Sequence, residues 1–174
     1  MQKATFGAGC FWQVETTFRK IKGVVSTTVG YTGGNFDNPS YQDVCTGKTG
    51  HAEAVQVTFD PKIVSFKELL DVFWKIHDPT QLDGQGLDIG SQYRSAIFYH
   101  TDKQKKEAIE SLKKEQKNKD TQKSLISGTN SVGNKIVTEI TQASMFYKAE
   151  EYHQRYLEKQ GKFSIRNLIK KLSK

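Results

Sequence analysis

Cysteine is scarce in this chain: Cys10 and Cys45 are the only two among 174 residues, and none follows position 45. A disulfide framework is thereby excluded, and a chain of this length buries a core without covalent staples. Two thiols behind an N-terminus (Met1-Gln2-Lys3-Ala4-Thr5-Phe6) that has no apolar leader stretch point to a reducing, cytoplasmic setting. Proline is also rare, at 3 residues, and with 14 glycines the composition is not that of a low-complexity chain. No apolar run approaches the roughly 20 residues of a membrane span. No internal repeat is present, which argues against a solenoid.

What is present is a globular composition with an excess of positive charge, +7 overall. The excess is local. Residues 101–123 carry eight lysines against five acids, and residues 155–174 carry seven Lys or Arg against one acid. The remainder is nearly neutral. A nucleic-acid-binding module is one reading of such segments, and it predicts affinity falling steeply with salt. That reading leaves the cysteine and the two long loops described below without a purpose. The lysine-rich stretch, with opposite charges four apart such as Glu110 and Lys114, reads more simply as the solvated face of a helix.

Residue patterns predict alternating elements. A strand over 4–6 runs into Gly7-Ala8-Gly9, and a helix over 10–20 carries Phe11, Val14 and Phe18 on one side. Strands are expected over 24–31 and 54–59, separated by a loop over 30–48 rich in Gly, Asn, Asp and Ser. Ser65 and Glu68 form a capping box for a helix reaching His77. A glycine-rich loop over 78–92 leads to a strand over 94–100, and Thr101 caps the lysine-rich helix. A last strand is expected over 136–140 and a helix over 147–160. A basic amphipathic helix is expected in the tail, where Ile165, Leu168, Ile169 and Leu172 recur at helical spacing. The order predicts an α+β fold, a two-layer α/β sandwich on a split βαβ (ferredoxin-like) core, with long loops and a C-terminal helical tail. One catalytic domain is expected over 1–174, its core spanning about 3–160 and its tail 161–174.

Cys10 is the most informative residue. At a strand-to-helix turn it faces unpaired amides and the positive end of the helix dipole, both of which favour thiolate. It reads either as a nucleophile or as a small buried hydrophobe. A dinucleotide fingerprint is excluded, because Trp12 occupies the third glycine position. Phe11 and Trp12 read as core, or as an aromatic wall for a substrate with an apolar end. Glu53 opens an otherwise apolar strand. It is either a solvated loop residue or a partly desolvated acid protonated near neutral pH. Cys45, His51 and Glu53 match no zinc spacing, so no metal is expected. Asp88 and Tyr93 sit in the glycine-rich loop, where turn chemistry and catalysis are both open readings. Cys45 reads as a packed loop residue, and His153 as a surface histidine that supports a site only if folded toward it.

The segment Gly7-Ala8-Gly9-Cys10-Phe11-Trp12-Gln13-Val14-Glu15 resembles the signature of the A-type peptide methionine sulfoxide reductases. Blocks around Tyr31, Tyr41, Cys45, Glu53, Asp88 to Arg94 and Tyr152-His153-Gln154 are similar to that family in the same order, over about residues 6–157. The resemblance implies a protein-repair enzyme of oxidative stress that returns methionine S-sulfoxide, free or protein-bound, to methionine. By position it implies Cys10 as the attacking thiolate, left as sulfenic acid, and Glu53 as proton donor. Tyr41, Tyr93 and Asp88 would be the polar side of the site, and Phe11 and Trp12 the seat of the S-methyl group. Many relatives carry resolving cysteines in the tail, and this chain has none there. Recycling by an external thiol is therefore expected, glutathione with glutaredoxin ahead of thioredoxin. No bound cofactor, no nucleic acid, no membrane span and a monomeric state are expected. The rival readings are a thiol peroxidase or an acyl-transferring hydrolase with His51 as base.

Overall fold

The computed structural model describes residues 1–127 and 135–161, with side chains up to residue 120 in the first stretch. The elements run β1 (Gln2–Ala8), α1 (Phe11–Arg19), β2 (Val24–Thr32), α2 (Tyr41–Cys45), β3 (Ala52–Phe59) and α3 (Phe66–Lys75). They continue with a small hairpin, β4 (Gly84–Gln85) and β5 (Asp88–Ile89), a single 3-10 turn (Ser91–Tyr93), β6 (Ser95–Tyr99) and α4 (Asp102–Ser127). Strands β7 (Glu139–Gln142) and β8 (Tyr147–Lys148) complete the order.

The sheet order is β7-β6-β1-β3-β2-β8. Its four central strands are the expected split βαβ core. Strands β1 and β2, joined through α1, both pair antiparallel with the intervening β3, and β6 pairs antiparallel with β1. Period-two alternation explains the two faces. Phe6, Val55, Val57 and Ile97 join Phe18, Phe66 and Phe73 in the main core, and the Phe6 and Phe18 rings stack at 4.9 Å. Ala52, Ala54, Ala96 and Phe98 line a smaller core with Phe146. The Ser65–Glu68 capping box forms as read from sequence, and Thr101 Oγ1 caps α4 by accepting from the Gln104 amide.

Three expectations differ from the fold. The 30–48 loop contains α2, started by a second capping box between Ser40 and Asp43. The strand expected over 136–140 lies at Glu139–Gln142, where it runs parallel to β6. Residues 147–155 are not helical. Side chains from this segment bond the β2 backbone and α1 in place of forming helical turns. The Gln154 carboxamide accepts from Val29 N–H (3.0 Å) and donates to Val29 O (2.9 Å) and Ala149 O (2.8 Å). Buried Glu15 accepts from the Arg155 amide (2.8 Å), at a residue held at φ 55°, and helix begins only at 156. The tail helix expected within 161–174 lies outside the described residues beyond position 161.

Gln154 is thus the bolt that closes this segment over the sheet. Val29 O keeps the Ala149 amide as a donor (3.0 Å), but Gln154→Ala leaves Val29 N–H and Ala149 O without the carboxamide, so it should lower unfolding free energy by about 2–4 kcal/mol. Denaturant unfolding tests this, and a loss of less than about 1 kcal/mol would show that the segment is held elsewhere.

Candidate active site

Strand β1 turns into α1 at Gly9, whose φ of 83° suits glycine and where a Cβ would sit 2.8 Å from the Gln85 side chain. That close approach places half-buried Cys10 at the N-cap of α1, against the 84–89 hairpin. Directly behind it, Phe11 N–H donates to Glu53 Oε2 at 3.1 Å. Glu53 is buried in the central strand β3, opposite Tyr31 of β2. Burial pushes its carboxyl up to about 7; the Phe11 amide works against the shift and the charge of Asp88 adds to it.

The thiol departs from the sequence expectation. Burial pushes Cys10 up from an ordinary 9.0 to about 11. The Trp12 and Gln13 amides at the helix start do favour thiolate, as expected, but they are outweighed, with the charges of Glu53 and Asp88 adding to the rise. Cys10 therefore rests as a thiol. The two groups are linked: a proton on Glu53 removes a negative charge beside Cys10 and makes the thiol more acidic.

The aromatic residues form one connected surface. Phe11 is buried and Trp12 half-buried, with rings 6.5 Å apart. His153, read from sequence as a surface residue, is fully buried because Trp12 Nε1 donates to its Nδ1 at 3.0 Å. Its ring lies 5.1 Å from Phe11 and 4.7 Å from Tyr41. With Nδ1 accepting, the neutral ring carries its proton on Nε2, which faces Glu150 Oε2 at 3.8 Å. Tyr156 stacks on Trp12 at 3.8 Å and 14°.

The two tyrosines and Asp88 converge on the same place from three different elements. Tyr41 opens α2, Tyr93 ends the 3-10 turn, and exposed Asp88 stands in β5. Burial raises the Tyr93 hydroxyl, with Glu53, Cys45 and Asp88 adding to it. The Tyr41 hydroxyl is raised first by the Cys45 thiol, four residues along the same helical turn, then by burial, Tyr93 and Glu53. Cys45 is exposed at the end of α2, not packed in a loop; Val44 is the residue that packs.

Glu150, to which sequence patterns gave no role, holds this side together. Glu150 Oε1 accepts from Tyr41 N–H (2.8 Å) and Oε2 from Tyr31 OH (2.9 Å). Burial would raise the Glu150 carboxyl, but the Tyr41 amide, its own amide and Tyr31 hold it below the ordinary range. Their sequence separations are 109 and 119 residues, so no local signal marks them. His51 is occupied by backbone at both nitrogens. Nδ1 accepts from Gly34 N–H (3.1 Å) and Nε2 donates to Phe36 O (2.7 Å), which makes it a loop brace and removes it as a hydrolase base. Among the described residues, no group of three His, Cys, Asp or Glu could hold a metal. No described helix is long and apolar enough to cross a membrane.

A thiol kept protonated beside a carboxyl poised near neutrality, without an imidazole base, fits a cysteine oxidoreductase better than an acyl transferase. Known proteins narrow that class. The family description "Peptide methionine sulfoxide reductase" matches residues 2–173. A relative from Methanothermobacter thermautotrophicus, "Peptide methionine sulfoxide reductase MsrA", is 58% identical over 158 residues, covering 91% of this chain and 87% of that one. The solved structure "Methionine sulfoxide reductase A of Corynebacterium diphtheriae" superposes with a TM-score of 0.79 at 38% identity, covering 91% of this chain and 74% of that one. Mxr1 from Saccharomyces cerevisiae "in complex with Trx2" superposes with a TM-score of 0.56 at 30% identity, over 89% and 84% of the two chains. The chain belongs to the A-type peptide methionine sulfoxide reductases. It is an oxidoreductase that returns methionine sulfoxide to methionine with electrons from thiols.

Proposed function

We propose that Cys10 attacks the sulfur of methionine S-sulfoxide and that Glu53 handles the proton. The observation that carries this reading is the Phe11 N–H to Glu53 Oε2 contact, which ties the buried carboxyl to the first residue of the helix that Cys10 caps. Glu53 takes the thiol proton and delivers it to the sulfoxide oxygen, a relay suited to a group poised at about 7. Tyr41 and Tyr93 direct hydrogen bonds at that oxygen, and Asp88 sets the polarity of the same side. Phe11 and Trp12 receive the S-methyl group, with His153 fixing the indole. The sulfoxide S–O bond breaks and a Cys10 S–O bond forms. The substrate sulfur is reduced, Cys10 is oxidised to sulfenic acid, and no net proton is taken up. Comparing the two sulfoxide epimers in single turnover tests the assignment: only the S epimer should yield methionine, and equal rates on both would contradict it.

Recycling is proposed to use an external thiol, within one catalytic domain working in the cytoplasm. A monothiol such as glutathione condenses with the sulfenic acid to release water and leave a mixed disulfide, which a second thiol, glutaredoxin-type, then reduces. The observation that supports this is that no cysteine follows position 45 among the 174 residues. The complex of Mxr1 with Trx2 supports a protein thiol as electron donor in the family. Cys45→Ser should leave turnover with glutathione and glutaredoxin unchanged. If it fails only with thioredoxin, while the unsubstituted protein turns over well with it, Cys45 is the resolving thiol.

A further inference from the structure

The hairpin beside Cys10 is braced far more firmly than its length requires. It turns through Gly86 at φ 62° and Leu87. The Gln81 carboxamide pairs with both backbone groups of Gly86, accepting from N–H at 2.7 Å and donating to O at 3.1 Å. The Gln85 carboxamide pairs in the same way with Asp78, at 3.0 Å for both bonds. Yet this fixed loop shows apolar side chains to water: Leu87 is 99% exposed, Ile89 74% and Leu82 71%. A single exposed leucine needs no explanation, but three on one braced loop do. Leu87 also forms one wall of a trough of about 430 Å³ that includes Cys10, Val14, Ile76 and Gly86. A larger groove of about 550 Å³, between α3 and α4, is lined by no thiol or histidine.

We propose that the 84–89 hairpin and its trough are a subsite for the polypeptide flanking a protein-bound methionine sulfoxide, seating an apolar side chain next to the oxidised residue against Leu87 and Ile76. The proposal rests on the reductase reading above. A peptide that brings its sulfoxide to Cys10 must leave the site across one of its walls. This wall is preformed and reaches Cys10, and it sets apolar Leu87, Ile76 and Val14 beside polar Gln13, Thr17, Gln85 and Asp88. Pre-organisation by the two glutamines lowers the ordering cost of binding. The occupant is therefore a flexible segment of an oxidised protein, with Leu, Ile, Val or Phe beside the methionine sulfoxide.

The test uses the full chain with Leu87→Ser, in single turnover without reductant, on three substrates. These are free methionine S-sulfoxide, a peptide with the sulfoxide flanked by leucines, and the same peptide flanked by asparagines. Losing contact with one leucine should lower the second-order rate constant for the leucine peptide about tenfold, through weaker half-saturation. The free amino acid and the asparagine peptide should stay within about twofold, and Leu87→Met should restore the leucine peptide. Equal loss on all three substrates, or no loss on the leucine peptide, overturns the subsite. An effect seen only in multiple turnover with a protein reductant also overturns it, by assigning the wall to that reductant. If the unsubstituted protein reduces none of the three, the reductase reading fails first and the subsite falls with it.

Discussion

Cys10→Ser protein is expected to release no methionine from methionine S-sulfoxide and to remain folded. A serine hydroxyl ionises far less readily than even the raised thiol, and its oxygen cannot be oxidised to the equivalent of a sulfenic acid. The fold has no reason to suffer. Cys10 occupies the N-cap of α1 without a side-chain cap bond, and serine is among the preferred residues at that position. The thermal midpoint should therefore hold or rise slightly while activity disappears. Turnover at the rate of the unsubstituted protein by a folded Cys10→Ser chain would remove the thiol from the chemistry.

Glu53→Gln should slow the sulfoxide step by roughly 10²–10⁴-fold, the usual range for losing a positioned general acid. Its pH signature is as informative as its size. Cys10 and Glu53 must share one proton. With two, the thiolate is missing, and with none, the acid is missing. With the carboxyl poised at about 7 and the thiol at about 11, the single-turnover rate should rise as pH approaches 7 and then level off. In Glu53→Gln the limb near 7 should vanish, and Cys10 should titrate lower because a neighbouring negative charge is gone. Stability should move the other way. The folded carboxyl sits above its ordinary 4.5, so the native state holds more protons than the unfolded state between there and about 7. Native stability contributed by this group is therefore present below pH 4.5 and is lost as pH rises toward 7. Glu53→Gln removes that penalty, which is at most about 3 kcal/mol. The variant should then be more stable than the unsubstituted protein at pH 8 and no more stable at pH 5. A variant with a full single-turnover rate across pH would assign Glu53 to structure alone.

The parts of the candidate site that lie in short segments were legible in the sequence. Cys10 was marked by the glycines before it and the apolar stripe after it, and Glu53 by its place at the head of an apolar strand. The central sheet followed from strand-forming patterns: Val55, Val57 and Phe59 alternate with Gln56 and Thr58 in β3, and β2 is rich in β-branched residues. The pieces that sequence patterns missed depend on partners far along the chain. Residues 147–155 carry a helical composition, but Gln154, Glu150 and His153 spend their side chains on β2, α2 and Trp12, and the segment follows those bonds. Local propensity loses to long-range hydrogen bonds there. Helix α2 did leave a signal, the Ser40–Asp43 box, hidden in a stretch whose glycines read as loop. The ionisation of Cys10 was misjudged for a different reason. The helix start was visible, but the burial and the two carboxylates that outweigh it come together only in the fold.

The central claim is that oxidation of Cys10 accompanies the release of methionine. Its most direct test is a single turnover of methionine S-sulfoxide by Cys45→Ser protein, without reductant and with a sulfenic-acid trap such as dimedone present, read by mass spectrometry. One equivalent of methionine and one trapped adduct on Cys10 are predicted. Methionine released while Cys10 stays unmodified would contradict the account.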